Sequence, residues 1–337
     1  MPKYAIALLL GSTLAAPLHA TSDAATRFGA REDIEQISLS PDGTKVAYIE
    51  PSGARGAVVV VADAITGKSK PIARSSGEPD RLKYCRWSTD TRLVCGIYLI
   101  EDGPGRTVGF TRLIALDADG KNLKMLSAHD SSNALQTVYN GGAVIDWLGD
   151  DAGGNVLMTR NFVPEMSTGT HLASALDGFG VERVDTVSLK RSLVETPAIT
   201  AAEYITDGHG IVRVMGLQPK DGAGYDKTAI NYVYRTPNKR NWQPLGTLRL
   251  DGGNEAGFNP FAVDRDKNLV YGFDDHQGRA ALYSIALDGS LKRELVVARP
   301  DVDIDTLVRI GRQQRVVGVG FATERRQTEF FDPELRN

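Results

Sequence analysis

The sequence lacks several features on which common functions depend. No G-x-S-x-G motif occurs among its 337 residues, so the strand-to-helix elbow that carries the serine nucleophile of an α/β-hydrolase is missing. No long apolar run follows residue 20, and helical periodicity is almost absent after residue 25. Beyond residue 20 we therefore predict no membrane span, no helical fold and no hydrolase active site.

The net charge is small, and histidine and cysteine are scarce. The net charge is only -3 and the basic residues are dispersed, whereas a nucleic-acid site needs a basic patch or stripe. The four histidines beyond residue 20 are isolated in sequence and none has a metal-ligand spacing. They are His129, His171, His209 and His276. Nucleic acid is therefore excluded as a partner, and we assign no catalytic residue, metal or cofactor.

One stretch resembles the start of a calcium-binding loop. Asp301, Asp303 and Asp305 alternate as the first ligands of such a loop do. The motif then requires glycine at its sixth position and glutamate at its twelfth, where this chain has Thr306 and Arg312. The aspartates are therefore interpreted as a solvent-facing strand entry.

What the sequence has in abundance is turns. It contains 35 glycines, and residues 39–49 (LSPDGTKVAYI) combine a Ser-Pro-Asp-Gly turn with apolar positions that alternate with period two. Proline supplies a fixed φ and glycine a positive φ, as a tight turn requires. The segment predicts a β-hairpin.

The hairpin pattern recurs along the whole chain. Looser copies lie at residues 82–95, 144–158, 204–214, 261–271 and 306–319. Several are followed by a second hairpin, which makes a four-stranded unit, and the units start about 45 to 60 residues apart. A β-sandwich has only about seven to nine strands, fewer than this chain offers. We therefore predict an all-β β-propeller of about six blades, the last incomplete at Asn337, so that the ring is open.

The first 20 residues have the pattern of a secretory signal. Lys3 precedes an apolar run over residues 4–16, and Leu18-His19-Ala20 ends in a small residue, as a cleavage site does. The alternative is an N-terminal membrane anchor, but the run is too short to span a bilayer. We predict a signal peptide over residues 1–20, a propeller domain over residues 21–337, and a periplasmic or secreted protein.

The only two cysteines are Cys85 and Cys95, placed symmetrically about Asp90 in the second hairpin. If the turn is centred on Asp90, the two face each other across the strands at about 4.5 to 5.5 Å between Cβ atoms, close to disulfide reach. An oxidising compartment permits the bond. Two buried thiols are the alternative, and the predicted disulfide is Cys85 to Cys95.

Several segments together resemble one protein family. Residues 28–43, the hairpin at 85–95, residues 259–283, and the closing residues 317–321 and 330–332 are similar to the N-terminal region of exported bacterial serine peptidases of the prolyl oligopeptidase family. The resemblance covers essentially the whole chain beyond the signal. It implies the β-propeller that, in this family, caps a C-terminal α/β-hydrolase domain with a Ser-Asp-His triad.

The resemblance stops at the propeller. No residue of this chain inherits a triad role, so the implied partners are a peptide substrate and an α/β-hydrolase domain outside these residues. Within the family the propeller restricts entry to the catalytic cavity, and some members use propeller glutamates to hold the free amine of the substrate. Candidates here are Glu165, Glu182 and Glu203, none of which matches a motif.

Three functions remain open on the sequence alone. The first is a non-catalytic, substrate-gating propeller of a peptidase-family protein. The second is a stand-alone periplasmic propeller that grips a protein partner on one face. The third is a propeller enzyme with a central metal, such as a lactonase.

Overall fold

The computed structural model describes residues 28–103, 105–129, 131–149, 153–170, 172–237 and 239–336. The predicted signal peptide lies outside these residues. The chain divides into two units, Met1–Asp33 and Ile34–Asn337, and the second contains every strand of the described residues. Among these residues the regular elements are all β-strands, and no helix is long and apolar enough to cross a membrane.

In the described residues, twenty-four strands form six antiparallel sheets, each made of strands consecutive in sequence. We number these sheets blades 1 to 6. Blade 1 contains β1 (Gln36–Leu39), β2 (Lys45–Ser52), β3 (Gly56–Asp63) and β4 (Ser69–Ser75). Blade 2 contains β5 (Asp80–Trp87), β6 (Arg92–Gly103), β7 (Arg106–Asp117) and β8 (Lys124–Met125).

The next two blades follow the same order with different strand counts. Blade 3 contains β9 (Val144–Asp146), β10 (Asn155–Phe162), β11 (Gly178–Asp185) and β12 (Arg191–Ala198). Blade 4 has five strands, β13 (Ala201–Thr206), β14 (Val212–Leu217), β15 (Ala229–Tyr234), β16 (Gln243–Asp251) and β17 (Asn254–Ala256).

Blades 5 and 6 are the last two sheets in chain order. Blade 5 contains β18 (Asn259–Asp264), β19 (Leu269–His276), β20 (Arg279–Ala286) and β21 (Arg293–Val297). Blade 6 has three strands, β22 (Ile304–Ile310), β23 (Arg315–Ala322) and β24 (Arg326–Phe330). The predicted fold, a β-propeller of about six blades with an incomplete last one, is confirmed. Blade 6 has three strands, as the prediction of an incomplete last blade requires, and blade 4 differs from the four-stranded pattern by the short extra strand β17.

The first predicted hairpin illustrates how the sequence builds a blade. Gly43 has φ of +71°, a conformation that glycine adopts without strain. Asp42 accepts hydrogen bonds from Ser40 Oγ at 2.6 Å and from the Thr44 amide at 3.0 Å, and these bonds lower the pKa of Asp42 to about 2. The turn therefore joins β1 to β2 in the predicted place.

Hydrophobic clusters seal the ring between successive blades. Five such clusters lie between blades 1 and 2, 2 and 3, 3 and 4, 4 and 5, and 5 and 6. Among the described residues no such cluster joins blade 6 to blade 1. On β1, Ile37 and Leu39 leave 65% and 60% of their surfaces exposed, which is unusual for two neighbouring apolar side chains of a propeller strand. Within the part of the chain that the structure describes, the interface between blades 6 and 1 is therefore unsealed.

No blade combines strands from the two chain ends among the described residues, because every sheet is built from consecutive strands. Many propellers close by such a shared blade. The first strands of blades 1 and 2, which are neighbours in the ring, are linked by two side-chain hydrogen bonds. Trp87 Nε1 donates to Ser38 O at 3.0 Å, and the Cys85 amide donates to Gln36 Oε1 at 2.9 Å.

The two cysteines occupy the predicted register. Cys85 on β5 pairs with Cys95 on β6, both side chains are fully buried, and their Sγ atoms are bonded. The disulfide therefore spans the first two strands of blade 2 within the cluster that blade 2 shares with blade 1.

We expect that changing both cysteines to alanine will lower the free energy of unfolding by about 2 to 3 kcal/mol, since a loop of this length is constrained in the unfolded chain. Urea unfolding of the oxidised wild type and the double variant measures the difference. Titration of wild-type protein in denaturant without reductant should find no free thiol. Two reactive thiols in protein from an oxidising compartment would contradict the assignment.

Candidate functional site: the central channel

The first strands of five blades surround one central cavity of about 250 Å³. They are β5, β9, β13, β18 and β22, so the cavity lies on the propeller axis, where the innermost strand of each blade is found. Of the residues that the structure describes, none from blade 1 lines this cavity. We call this cavity the central channel.

One turn of blade 6 extends across the channel. We call residues 311–314, between β22 and β23, the crossing turn. Arg312 donates from Nη1 to Trp87 O at 3.2 Å and from Nη2 to Ser88 O at 2.9 Å, both in the first hairpin of blade 2. The turn also contacts glycines of blades 3 and 4. A Cβ placed on Gly149 would lie 3.0 Å from Arg312 Cβ, and one on Gly208 would lie 2.3 Å from Gln313 O.

The crossing turn separates two cavities. Arg312, Gln313 and Gln314 line the central channel, whereas Gly311 and Gln313 line a second cavity of about 370 Å³. The second cavity is bounded by the turns that follow β13, β18 and β22, and it is rich in carboxylates from Asp207, Asp264 and Asp266. The turn therefore obstructs the channel at the end where the innermost strands finish.

Three arginines line the central channel. Arg86 on β5 and Arg309 on β22 each occupy the next-to-last position of an innermost strand, and Arg312 follows on the crossing turn. Arg309 Nη2 donates to Phe261 O at 2.8 Å. Removal from bulk water lowers the pKa values of Arg309 and Arg312 from their ordinary range, which is the effect of a low-dielectric environment on a cation.

Two carboxyl groups also line the channel. Asp146 is buried and accepts the amide hydrogens of Leu148 at 2.9 Å and Gly210 at 2.9 Å. Glu203 accepts a hydrogen bond from Tyr232 Oη at 3.0 Å. Burial raises the pKa of the Glu203 carboxyl, and the Tyr232 bond opposes this in part. Burial and the neighbouring carboxylate raise the pKa of the Tyr232 phenol.

The structure separates the three glutamates chosen from the sequence. Glu203 lies in the channel. Glu182 is buried and pairs with Arg160 at 3.1 Å and Arg191 at 2.7 Å, so its charge is used within blade 3. Glu165 accepts the Ser174 amide at 3.0 Å outside the regular strands. Only Glu203 is therefore placed where a molecule in the channel would meet it.

The raised pKa of Glu203 predicts a pH dependence of stability. The folded chain holds this proton more tightly than the unfolded chain, so the stabilising effect is complete below about pH 4.5 and is lost as the pH rises through the raised value. We expect Glu203→Gln to remove this loss, so that the variant gains stability relative to the wild type as the pH rises. Urea unfolding between pH 4 and pH 8 measures it. Glu324→Gln, at an exposed site, is the control, and a profile parallel to the wild type in Glu203→Gln would contradict the assignment.

The alternating aspartates bind protein groups instead of sharing a site. Asp301 accepts from Arg299 at 3.1 Å, Asp305 from Arg326 at 2.7 Å, and Asp303 from the Ala280 amide at 2.9 Å. Over the described part of the chain, no group of three or more potential ligands could hold a metal ion. Of the histidines, His209 lines the second cavity, His276 Nδ1 lies 2.9 Å from Tyr283 Oη, and His171 falls outside the described residues.

The channel arginines were not chosen from the sequence. A positional signal was available, because Arg86 and Arg309 occupy equivalent positions in the repeat, one residue before the end of the first strand. Arg312 had no such signal. Its position in the channel depends on a turn that contacts blades distant in sequence.

Six blades, five of which line a central channel with their first strands, define this chain as a six-bladed β-propeller. No protein-family model matches the sequence. No curated protein sequence matches it either.

Solved structures do match the fold. A prolyl endopeptidase superposes with a TM-score of 0.55 at 10% identity, over 90% of this chain and 41% of that chain. An acylaminoacyl peptidase from Pyrococcus horikoshii gives a TM-score of 0.45 at 13% identity, over 88% and 45%. The β-propeller domain of the Trilobed protease from Pyrococcus furiosus, described as having an open velcro topology, gives 0.45 at 14% identity, over 90% and 86%.

The chain thus spans less than half the length of the two whole peptidases that it matches. At 10% identity the superposition establishes the fold alone. The predicted resemblance to the β-propeller of a prolyl oligopeptidase-like peptidase is confirmed at that level.

Proposed function

We propose that this chain is a non-catalytic, substrate-gating β-propeller of a prolyl oligopeptidase-like serine peptidase, working with an α/β-hydrolase domain outside these residues. The observation that carries the proposal is the central channel crossed by residues 311–314. A channel of this size excludes a folded protein, and in this proposal the crossing turn, which Arg312 bonds to blade 2, is a movable obstruction. Export to the periplasm or the medium, directed by residues 1–20, belongs to the same proposal.

The first test asks whether the chain has activity of its own. Purified protein should not hydrolyse a chromogenic dipeptide substrate, because the sequence supplies no nucleophile elbow and hence no acyl intermediate. Hydrolysis that a serine-directed inhibitor blocks, in a preparation free of host enzymes, would overturn the non-catalytic assignment.

The second test asks for the missing domain. The nucleotide sequence after the codon for Asn337, or an adjacent frame, should encode a segment with G-x-S-x-G. The polypeptide that joins both parts should cleave short peptides and spare folded proteins, whereas the hydrolase segment alone should lose this selectivity. Absence of any such segment, or equal selectivity with and without the propeller, would sink the gating proposal.

A second candidate is a stand-alone periplasmic propeller that binds a protein partner. The unsealed interface between blades 6 and 1, with Ile37 and Leu39 exposed, favours it. It predicts that no hydrolase segment is encoded nearby. It also predicts that the apolar side chains of β1 become protected from solvent when the partner is present.

A further inference from the structure

Three guanidinium groups share the central channel without a carboxylate partner. Among the described residues, Arg86, Arg309 and Arg312 take part in no ion pair, although all three line one cavity of about 250 Å³. Arg86 also has no hydrogen-bond partner there, and Arg312 Nε is buried without one. Arg92 and Arg191 each have an acidic partner, whereas the buried Arg213 donates to Arg235 O and Asn268 Oδ1. Arg86 and Arg309 are exposed and Arg312 is half-buried, so the three cations offer free N–H groups to a ligand in the cavity.

Two of the three arginines, Arg309 and Arg312, are held in position by backbone groups. Arg309 donates one of its five N–H groups to Phe261 O, which leaves the others free. Arg312 is fixed by Trp87 O and Ser88 O and contributes mainly its charge. Arg86 and Arg309 come from equivalent strand positions and therefore lie at the same level of the channel.

Among the described residues, the acids of the channel form no ion pair with these arginines. Both Asp146 oxygens accept backbone amides, and Glu203 accepts the phenol of Tyr232. Asp90 attracts Arg312 electrostatically, and its carboxylate accepts a hydrogen bond from the Asp42 amide. The lining of the channel therefore has three arginines and two carboxyl groups, which leaves positive charge in excess.

We propose that the central channel binds a small molecule through a carboxylate held by Arg86 and Arg309, with Arg312 adding positive charge. A guanidinium fork matches the two oxygens of a carboxylate. The rest of the lining includes Phe261 and Tyr204, which suits a ligand with a carbon frame. The carboxylate comes from a short peptide or from a free di- or tricarboxylic acid. The site does not depend on the peptidase assignment, since a stand-alone propeller can hold the same ligand.

Isothermal titration of the full chain at low salt tests the proposal. The probes are acetyl-trialanine, its C-terminal amide, citrate and inorganic phosphate. We expect at least one carboxylate probe to bind, and we expect the amide not to. Binding of acetyl-trialanine assigns the peptide source, and binding of citrate alone assigns the free acid. Arg86→Gln and Arg309→Gln should each weaken binding about 10-fold or more, because a hydrogen bond to a charged group is lost, and together they should abolish it.

The matched control is Arg265→Gln. Arg265 lines the second cavity, outside the channel, so this variant makes the same change of charge at the same end of the propeller. Melting curves confirm that each variant is folded. The proposal is overturned if neither carboxylate binds, if acid and amide bind equally, if phosphate binds as tightly as the carboxylates, or if the double variant binds as well as Arg265→Gln.

Discussion

Replacing Arg92 with methionine is expected to lower the free energy of unfolding by about 3 to 5 kcal/mol, the cost of breaking a buried charged network from one side. Arg92 is 2% exposed. It donates to Asp117 Oδ1 at 2.7 Å and to Asn122 O at 2.9 Å within blade 2, and from Nε and Nη2 to Thr186 O in blade 3. Methionine fills similar space but leaves these acceptors without a donor.

Urea unfolding measures this loss as a lower midpoint, provided that the slope of the free energy of unfolding against urea concentration is unchanged. Arg326→Met is the control, because Arg326 also binds a carboxylate, that of Asp305, but on the surface, and its midpoint should stay near the wild type. A midpoint for Arg92→Met as high as that of Arg326→Met would show that water replaces the guanidinium and that the link between blades 2 and 3 is dispensable.

The hairpins could be predicted from the sequence because each is a local structure. The turn at Gly43 and the pairing of Cys85 with Cys95 follow from residues fewer than a dozen positions apart, and both lie where the pattern placed them. The six repeats at residues 39–49 through 306–319 correspond to the first hairpins of the six blades. Period-two alternation and turn chemistry are sufficient for this level of structure.

Which apolar face is covered could not be predicted in the same way. On blade 1, Ala47 and Ile49 are buried against blade 2, whereas Ile37 and Leu39 on the opposite face stay exposed. Alternation identifies two faces of a strand, but coverage depends on a neighbour from the other end of the chain. The fifth strand of blade 4 could not be predicted for another reason: β17 has only three residues, too few to show an alternation of apolar and polar side chains.

The channel is the least predictable part for a related reason. Glu203 was one of three equivalent candidates until the ring placed it on the axis. Arg312 lies 224 residues from Ser88, to which it is bonded. A single sequence carries no local mark of such a contact, since an arginine in a turn is usually solvated.

Gly208→Ala is expected to free the crossing turn and to destabilise the chain by about 2 to 4 kcal/mol, more than strain alone would. Gly208 has φ of +74°, and an added Cβ would lie 2.3 Å from Gln313 O, a separation that forces the backbone of the turn to move. Movement of Gln313 draws Arg312 away from Trp87 O and Ser88 O, so the channel should open at this end.

Gly67→Ala separates the strain from the collision. Gly67 has φ of +68°, but a Cβ there meets no atom within 4 Å, so this variant should lose only about 1 to 2 kcal/mol. Hydrogen exchange of a peptide that covers residues 308–316 reports on the turn itself. We expect faster exchange in Gly208→Ala alone, because only that substitution acts on the turn. Equal exchange in the two variants would mean that an added methyl group at Gly208 does not displace the crossing turn, and the predicted opening of the channel would be wrong.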